Sequence, residues 1–161
     1  MYSIRNAQRD DLPQIKMLAL SSWLNAYDGI IARDEIIAEN ERFYTEDFHG
    51  LLLNRTDAGL HLFKVIVEQE RVVGLIDFDF DDQRTWLMRF YVLPGLIGRG
   101  LGKRLMLESE QELFVKGRKE YFLLVHSQNS IGINYYERNG FERFPKFDQP
   151  QDQEICYVKK I

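Results

Sequence analysis

The order of strand-like and helix-like segments predicts an α+β fold. The chain reads as one strand, two helices, three strands, a helix, a strand, a helix and two final strands. Three strand runs in quick succession between His61 and Leu93 leave room only for tight turns, so they are antiparallel. A glycine-rich corner at 98–102 then leads from a strand into a helix. Together these give a mixed, mostly antiparallel sheet of about seven strands flanked by about four helices. The alternating pattern of a doubly wound parallel sheet is absent.

Each element has a local reason. Tyr2–Arg5 is a short strand, and Asp10 or Asp11 can cap a helix that begins near Leu12, with Pro13 tolerated in its first turn. Ile15, Leu18, Ser22 and Leu24–Tyr27 form its inner side, and Gly29 breaks it. A second helical stretch starts near Asp34, carries Ile36, Ile37, Phe43 and Tyr44 at helical spacing, and runs raggedly to Leu53. Asn54–Gly59 reads as a loop. His61–Glu68 and Arg71–Asp81 are strands joined at Gln69-Glu70, and Arg84–Leu93 is the third run. A helix from about Arg99 to Lys116 buries Leu105, Met106, Ser109 and Leu113, and Gly117 is its C-cap. Tyr121–His126 is a buried strand. The helix after Asn129 stops at Asn139-Gly140, and Phe141–Phe147 pairs with Glu154–Lys160 around the loop Asp148–Gln153.

The length of 161 residues suits a single domain, 1–161, without repeats, low-complexity tracts or a linker. With 45% hydrophobic and 29% charged residues the balance is that of a globular protein. A formal net charge of −4 disfavours broad nucleic-acid binding, and no run approaches the roughly 20 apolar residues that span a membrane. Cys156 is the single cysteine, so no internal disulfide forms; with no apolar leader at Met1–Asp11, the expected compartment is the cytoplasm.

Chemistry concentrates in two segments. The first is Tyr91-Val92-Leu93-Pro94 followed by Gly98-Arg99-Gly100-Leu101-Gly102-Lys103. Glycines that open a helix let a ligand approach the backbone, where unpaired N–H groups and the helix dipole converge on a phosphate-sized point. Two familiar phosphate loops fail on spacing. A dinucleotide fingerprint needs Gly-x-Gly-x-x-Gly, whereas these glycines alternate; a P-loop needs Gly, four residues and Gly-Lys-Ser/Thr, whereas Ile97 and Arg104 stand at the decisive positions. The second segment is Asn129-x-x-Gly132-x-x-Tyr135-Tyr136-x-x-x-Gly140-Phe141.

Taken jointly, the two segments resemble the GNAT superfamily of acetyl-CoA-dependent N-acetyltransferases across roughly residues 86–141. The resemblance implies an acetyl-CoA donor, no metal, and direct acetyl transfer to an amine, of a small molecule or of a protein N-terminus or lysine; the single compact domain suits a small molecule better. A non-catalytic acyl-CoA-binding sensor or scaffold is the rival from another class, and a homodimer is compatible with the fold although no residue shows it. Carried over by position, Tyr91–Leu93 lies on a strand splayed from Tyr121–His126, and the pantetheine arm pairs with backbone around Val92. The family's Gln/Arg position is Ile97, whose side chain donates nothing. The amides from Gly98 through Arg99, Gly100, Leu101 and Gly102 to Lys103 are then left to hold the pyrophosphate, with help from Arg99 or Lys103. Asn129 bonds the cofactor, and Tyr136 stands near the sulfur as the acid that protonates the leaving thiolate. Tyr135 is assigned to the core.

The acceptor side is less explicit. The place where some relatives carry a glutamate falls near Trp86–Met88, which holds no acid. Asp77, Asp79 and Asp81 alternate along one strand and share a face. That face either contacts the acceptor, through Asp77 and Asp79, or is simply solvated. Trp23 and Tyr27, with Phe43, Tyr44 and Phe48, either wall the acceptor or belong to the core. His49, His61 and His126 lack metal-ligand spacing and read as ordinary residues, with His126 near the cofactor strand.

Overall fold

The computed structural model describes residues 1–161. A seven-stranded sheet runs in the order β1-β2-β3-β4-β5-β7-β6. Its strands are β1 Tyr2–Asn6, β2 His61–Glu68, β3 Arg71–Phe80, β4 Thr85–Val92, β5 Glu120–His126, β6 Glu142–Arg143 and β7 Glu154–Lys160. All neighbours are antiparallel except β4 and β5. The helices are α1 Leu12–Ala26, α2 Arg33–Phe43, α3 Glu46–Asp57, α4 Leu101–Val115 and α5 Ser130–Arg138.

The expected order holds, with three local corrections. The stretch from Asp34 to Leu53 is two helices, which makes five in all. The break at Tyr44 has no glycine or proline; instead the Thr45 hydroxyl accepts from Phe48 N at 3.2 Å and starts a new helix. That helix also takes in Asn54–Asp57, expected as loop. Finally, the strand expected over Phe141–Phe147 shrinks to Glu142–Arg143, because Pro145 opens a 3-10 turn that folds Phe147 onto Phe144 and Phe122.

Helices cover the two sides of the sheet unequally. On one side α4 buries Leu101, Leu105, Met106 and Leu113 against Ile66, Ile76, Phe78, Tyr121 and Tyr157. On the other, α1 and α3 bury Ile15, Leu18 and Leu52 against Phe63, Val65 and Leu75. Beyond them Trp86, Phe122, Cys156 and Val158 form a third apolar patch, covered by Phe144 and Phe147. The β2–β3 hairpin turns through Gln69 and Glu70, both at positive φ (48° and 68°), so the reversal is made without glycine.

Two irregularities set up the site. Asp77 pairs with Arg89 but Phe78 pairs with Leu87, so Met88 is an extra residue on β4 and forms a β-bulge. Bulges bend the strand that carries them. Immediately before this one, β4 and β5 make their single bridge, Trp86 to Phe122. Beyond it the two parallel strands diverge toward Val92 and His126.

Candidate active site

The gap between β4 and β5 is lined by main chain without a partner strand. Leu93 N donates to Val73 O at 2.9 Å. Amides alternate between the two edges of an antiparallel strand, so Val92 turns its N–H and C=O away from β3 and into the gap.

At the end of the gap stands the glycine corner. Gly98 and Gly100 have φ of 87° and 78°, a region that a side chain disfavours, and Gly100 is the left-handed residue that opens α4. Arg99 N bonds Leu96 O and Arg104 N bonds Gly100 O, whereas the amides of Gly98, Gly100, Leu101, Gly102 and Lys103 meet no acceptor in the chain. They form one cluster of free donors at the positive end of a fifteen-residue helix. Gly102 lets this helix approach β4 closely, since a Cβ there would lie 3.0 Å from Phe90 Cζ. Arg99, Lys103 and Arg104 are exposed around the cluster, on an open surface that continues along one face of α4. Ile97 is exposed beside them and offers no donor. This donor set fits a pyrophosphate held through main chain.

Helix α1 spans the gap from the side opposite α4. Trp23 Nε1 donates to the Tyr91 hydroxyl at 2.9 Å, and Asn129 Nδ2 donates to the Tyr27 hydroxyl at 3.5 Å. The Tyr27 ring stands edge-on to His126, with centroids 5.8 Å apart. The carboxamide of Asn129 is thus engaged within the chain, its Oδ1 also accepting from Gly132 N at 3.0 Å as the cap of α5.

Tyr136, on α5, belongs to the same corner. Burial pushes its phenol up strongly, and the neighbouring phenols of Tyr91, Tyr27 and Tyr135 add to the effect. No side chain takes its hydroxyl as a partner. Tyr135 packs on Phe90 with centroids 5.1 Å apart, burying a hydroxyl that also lacks a partner. The structure therefore gathers Trp23, Tyr27, Tyr91, Val92, Leu93, Asn129 and Tyr136 around one gap, with Ile97–Lys103 at its end.

Asp77 and Asp79 lie outside the gap, and the solvated sheet face is corrected. Asp77 is fully buried and binds Arg89 Nε at 2.9 Å and His61 Nε2 at 2.8 Å. Burial opposes its ionisation most strongly, yet Arg89 and His61 outweigh burial and hold the carboxyl below its ordinary value. Asp79 takes Arg55 and the other ring nitrogen of His61, at 3.2 Å. The two aspartates do share a face, but α1 and α3 close over it. By sequence His61 read as an ordinary residue and Arg89 carried no mark; strand register alone brings them in, pairing Arg89 with Asp77 and His61 with Asp79.

Residues 19–141 match the acetyltransferase (GNAT) family. A spermidine N(1)-acetyltransferase of Thermoplasma acidophilum is 32% identical over 143 residues, which cover 86% of this chain and 87% of that protein. The crystal structure of the PaiA N-acetyltransferase of the same organism, in complex with coenzyme A, superposes with a TM-score of 0.93 at 28% identity, covering 100% of this chain and 99% of that one. A GNAT-family acetyltransferase from Staphylococcus aureus shares the fold at 18% identity, with a TM-score of 0.78 over 99% of each chain. With its splayed strands, free helix-terminal amides and half-buried phenol, the chain belongs to the GNAT family of acetyltransferases and uses acetyl-CoA as its donor.

Proposed function

We propose that this protein transfers the acetyl group of acetyl-CoA directly to an amino group of a cationic small molecule of the polyamine class. One observation carries the chemistry: the unpaired Val92 amide and the unpartnered Tyr136 hydroxyl belong to the same gap. The similarity to a spermidine acetyltransferase supports the acceptor class, and the net charge of −4 is consistent with it.

When bound, acetyl-CoA supplies an activated carbonyl and a thiolate that departs as the new amide forms. The chain does the rest. The amides of Gly98 and Gly100–Lys103 hold the pyrophosphate, with Arg99 and Lys103 beside them. Val92 C=O and N–H align the arm, and a main-chain N–H at this position can polarise the thioester oxygen, which is worth about 3 kcal/mol in comparable oxyanion sites. Tyr136 keeps its proton at neutral pH, because burial and the neighbouring phenols oppose its loss, and delivers it to the departing sulfur. Trp23 and Tyr27 wall the acceptor side. No helix is long and apolar enough to cross a membrane, and we place the reaction in the cytoplasm.

The test is release of free CoA from acetyl-CoA with a panel of polyamines, monoamines, aminoglycosides and peptides with free N-termini. Polyamines are expected to give the highest kcat/KM. Preference for a peptide would move the acceptor to a protein N-terminus, and CoA binding without turnover of any amine would leave only a sensor or scaffold.

A further inference from the structure

Beside the gap, on the α1 side of the sheet, lies a carboxylate that nothing in the fold uses. Glu154 opens β7 directly across from His126, the last residue of β5. Cross-strand partners share a face, and alternation from buried Cys156 and Val158 puts both residues on the side that carries Phe122 and Trp86. This is the side roofed by α1, where the Tyr27 ring meets His126. The backbone of Glu154 is fixed by reciprocal bonds with Gln149, at 3.1 and 2.9 Å. Its position is therefore set by the sheet rather than by a free loop.

Its side chain is half-buried and has no hydrogen bond or ion pair within the chain. By contrast Asp11, Asp77, Asp79, Glu110 and Glu112 are each engaged by a cation of the chain. The titratable groups around Glu154 are Asp152 from the preceding turn, His126 from β5 and Tyr27 from α1. None is a lysine or arginine. Burial most of all, and then the charge of Asp152, push the Glu154 carboxyl up, while His126 works against them. His126 accepts at Nδ1 from Gln128 N at 3.2 Å. Partial burial without a fixed cation disfavours the ionised carboxylate, and a cation brought within about 4–6 Å restores it, so such a group gains most from a charged ligand.

We propose that Glu154, with Asp152 behind it and the rings of Tyr27 and His126 beside it, is the subsite that holds a protonated amino group of the acceptor. The inference rests on the cationic small-molecule reading above and names the residue that recognises the charge. A molecule with two or more amino groups leaves one protonated at Glu154 while another, having lost its proton to solvent, reaches the acetyl carbonyl. A monoamine has no second cation to offer.

The experiment uses Glu154→Gln and Glu154→Asp in the full chain at saturating acetyl-CoA, with spermidine and n-butylamine as acceptors. Calorimetric titration of spermidine into the CoA-loaded protein runs in parallel. For Glu154→Gln the spermidine KM and the calorimetric Kd rise about 10–100-fold, the scale of a lost charged hydrogen bond. The kcat stays within about twofold, and the acetyl-CoA and butylamine KM values hold. Glu154→Asp recovers part of the loss. In the wild type, spermidine KM climbs on acidification above the usual carboxylate range; in Glu154→Gln this climb is absent. Unchanged spermidine KM and Kd in Glu154→Gln overturn the subsite. If the wild type neither acetylates nor binds spermidine but acetylates another amine, the polyamine reading falls; Glu154 is then judged on that amine's KM, and an unchanged value overturns it as well.

Discussion

The molecule carries two polar regions built on opposite rules. Under α1 and α3, the chain Arg55–Asp79–His61–Asp77–Arg89 gives every charge a partner, and Arg89 also lies over the Phe48 ring at 5.1 Å. Around the β4–β5 gap the donors and acceptors lack partners: the Val92 main chain, the amides at the start of α4, the Tyr136 hydroxyl and the Glu154 carboxylate. Removing a member of the first region leaves a buried charge uncompensated. Removing one from the second exposes no such debt, because its partner arrives with the ligand. The paired charges of the first region act as scaffold, whereas the second leaves main-chain amides and the Tyr136 hydroxyl free beside the bonded Trp23, Tyr91 and Asn129 side chains.

That contrast can be broken in order of expected effect. Tyr136→Phe keeps the ring and deletes the proton; kcat falls about 10²–10⁴-fold while coenzyme A binding and the melting temperature barely move. Steady-state kinetics beside a thermal melt checks this, and undiminished turnover removes Tyr136 from the chemistry. Asp77→Asn should do the reverse. It leaves Arg89 short of its counter-charge and costs about 3–5 kcal/mol by denaturant titration, with kcat much less affected in the molecules that remain folded. A loss below about 1 kcal/mol would mean that the buried chain is not a scaffold. Gly100→Ala forces a side chain into the left-handed region at a cost of about 1–2 kcal/mol, read as lost stability by denaturant titration; where the corner shifts to relieve that strain, calorimetry registers weaker CoA binding by up to about tenfold with kcat at saturation preserved.

The smallest effect is one of acid. Arg143 and the Cys156 amide pull the Asp148 carboxyl down to about 2 from its ordinary 3.8. A carboxyl lowered in the folded state stabilises above its unfolded value, and that contribution disappears as pH falls from about 4 toward about 2. Arg143→Gln should flatten the stability curve in this window only.

Element order, the sheet class, the buried face of α4 and the strand-to-helix corner were legible in the sequence because each depends on local periodicity or on glycine. The division of α2 from α3 was not, since a threonine cap is a weaker mark than a proline. That Tyr91, Val92, Asn129 and Tyr136 come together around one gap was legible only through their joint spacing. The Arg89–Asp77–His61 chain and the Glu154–His126 pair depend on strand register, which links residues 12, 16 and 28 positions apart and leaves no local trace. Alternation put Asp77 and Asp79 on one face; it carried no information about α3 closing over that face.

The bulge at Met88 has a consequence for how this site tolerates change. Trp86, Arg89 and Tyr91 reach the same side of the sheet only because one residue is inserted in the count between the first two. Met88 itself is 55% exposed, so its chemical identity is nearly free to drift. Its presence is not. Deleting it would invert the facing of one end of β4 relative to the other, carrying either the indole or the arginine and the phenol to the wrong layer. The facing of β4 along the gap is thus encoded in chain length, and one missing codon there would do more harm than most substitutions around it.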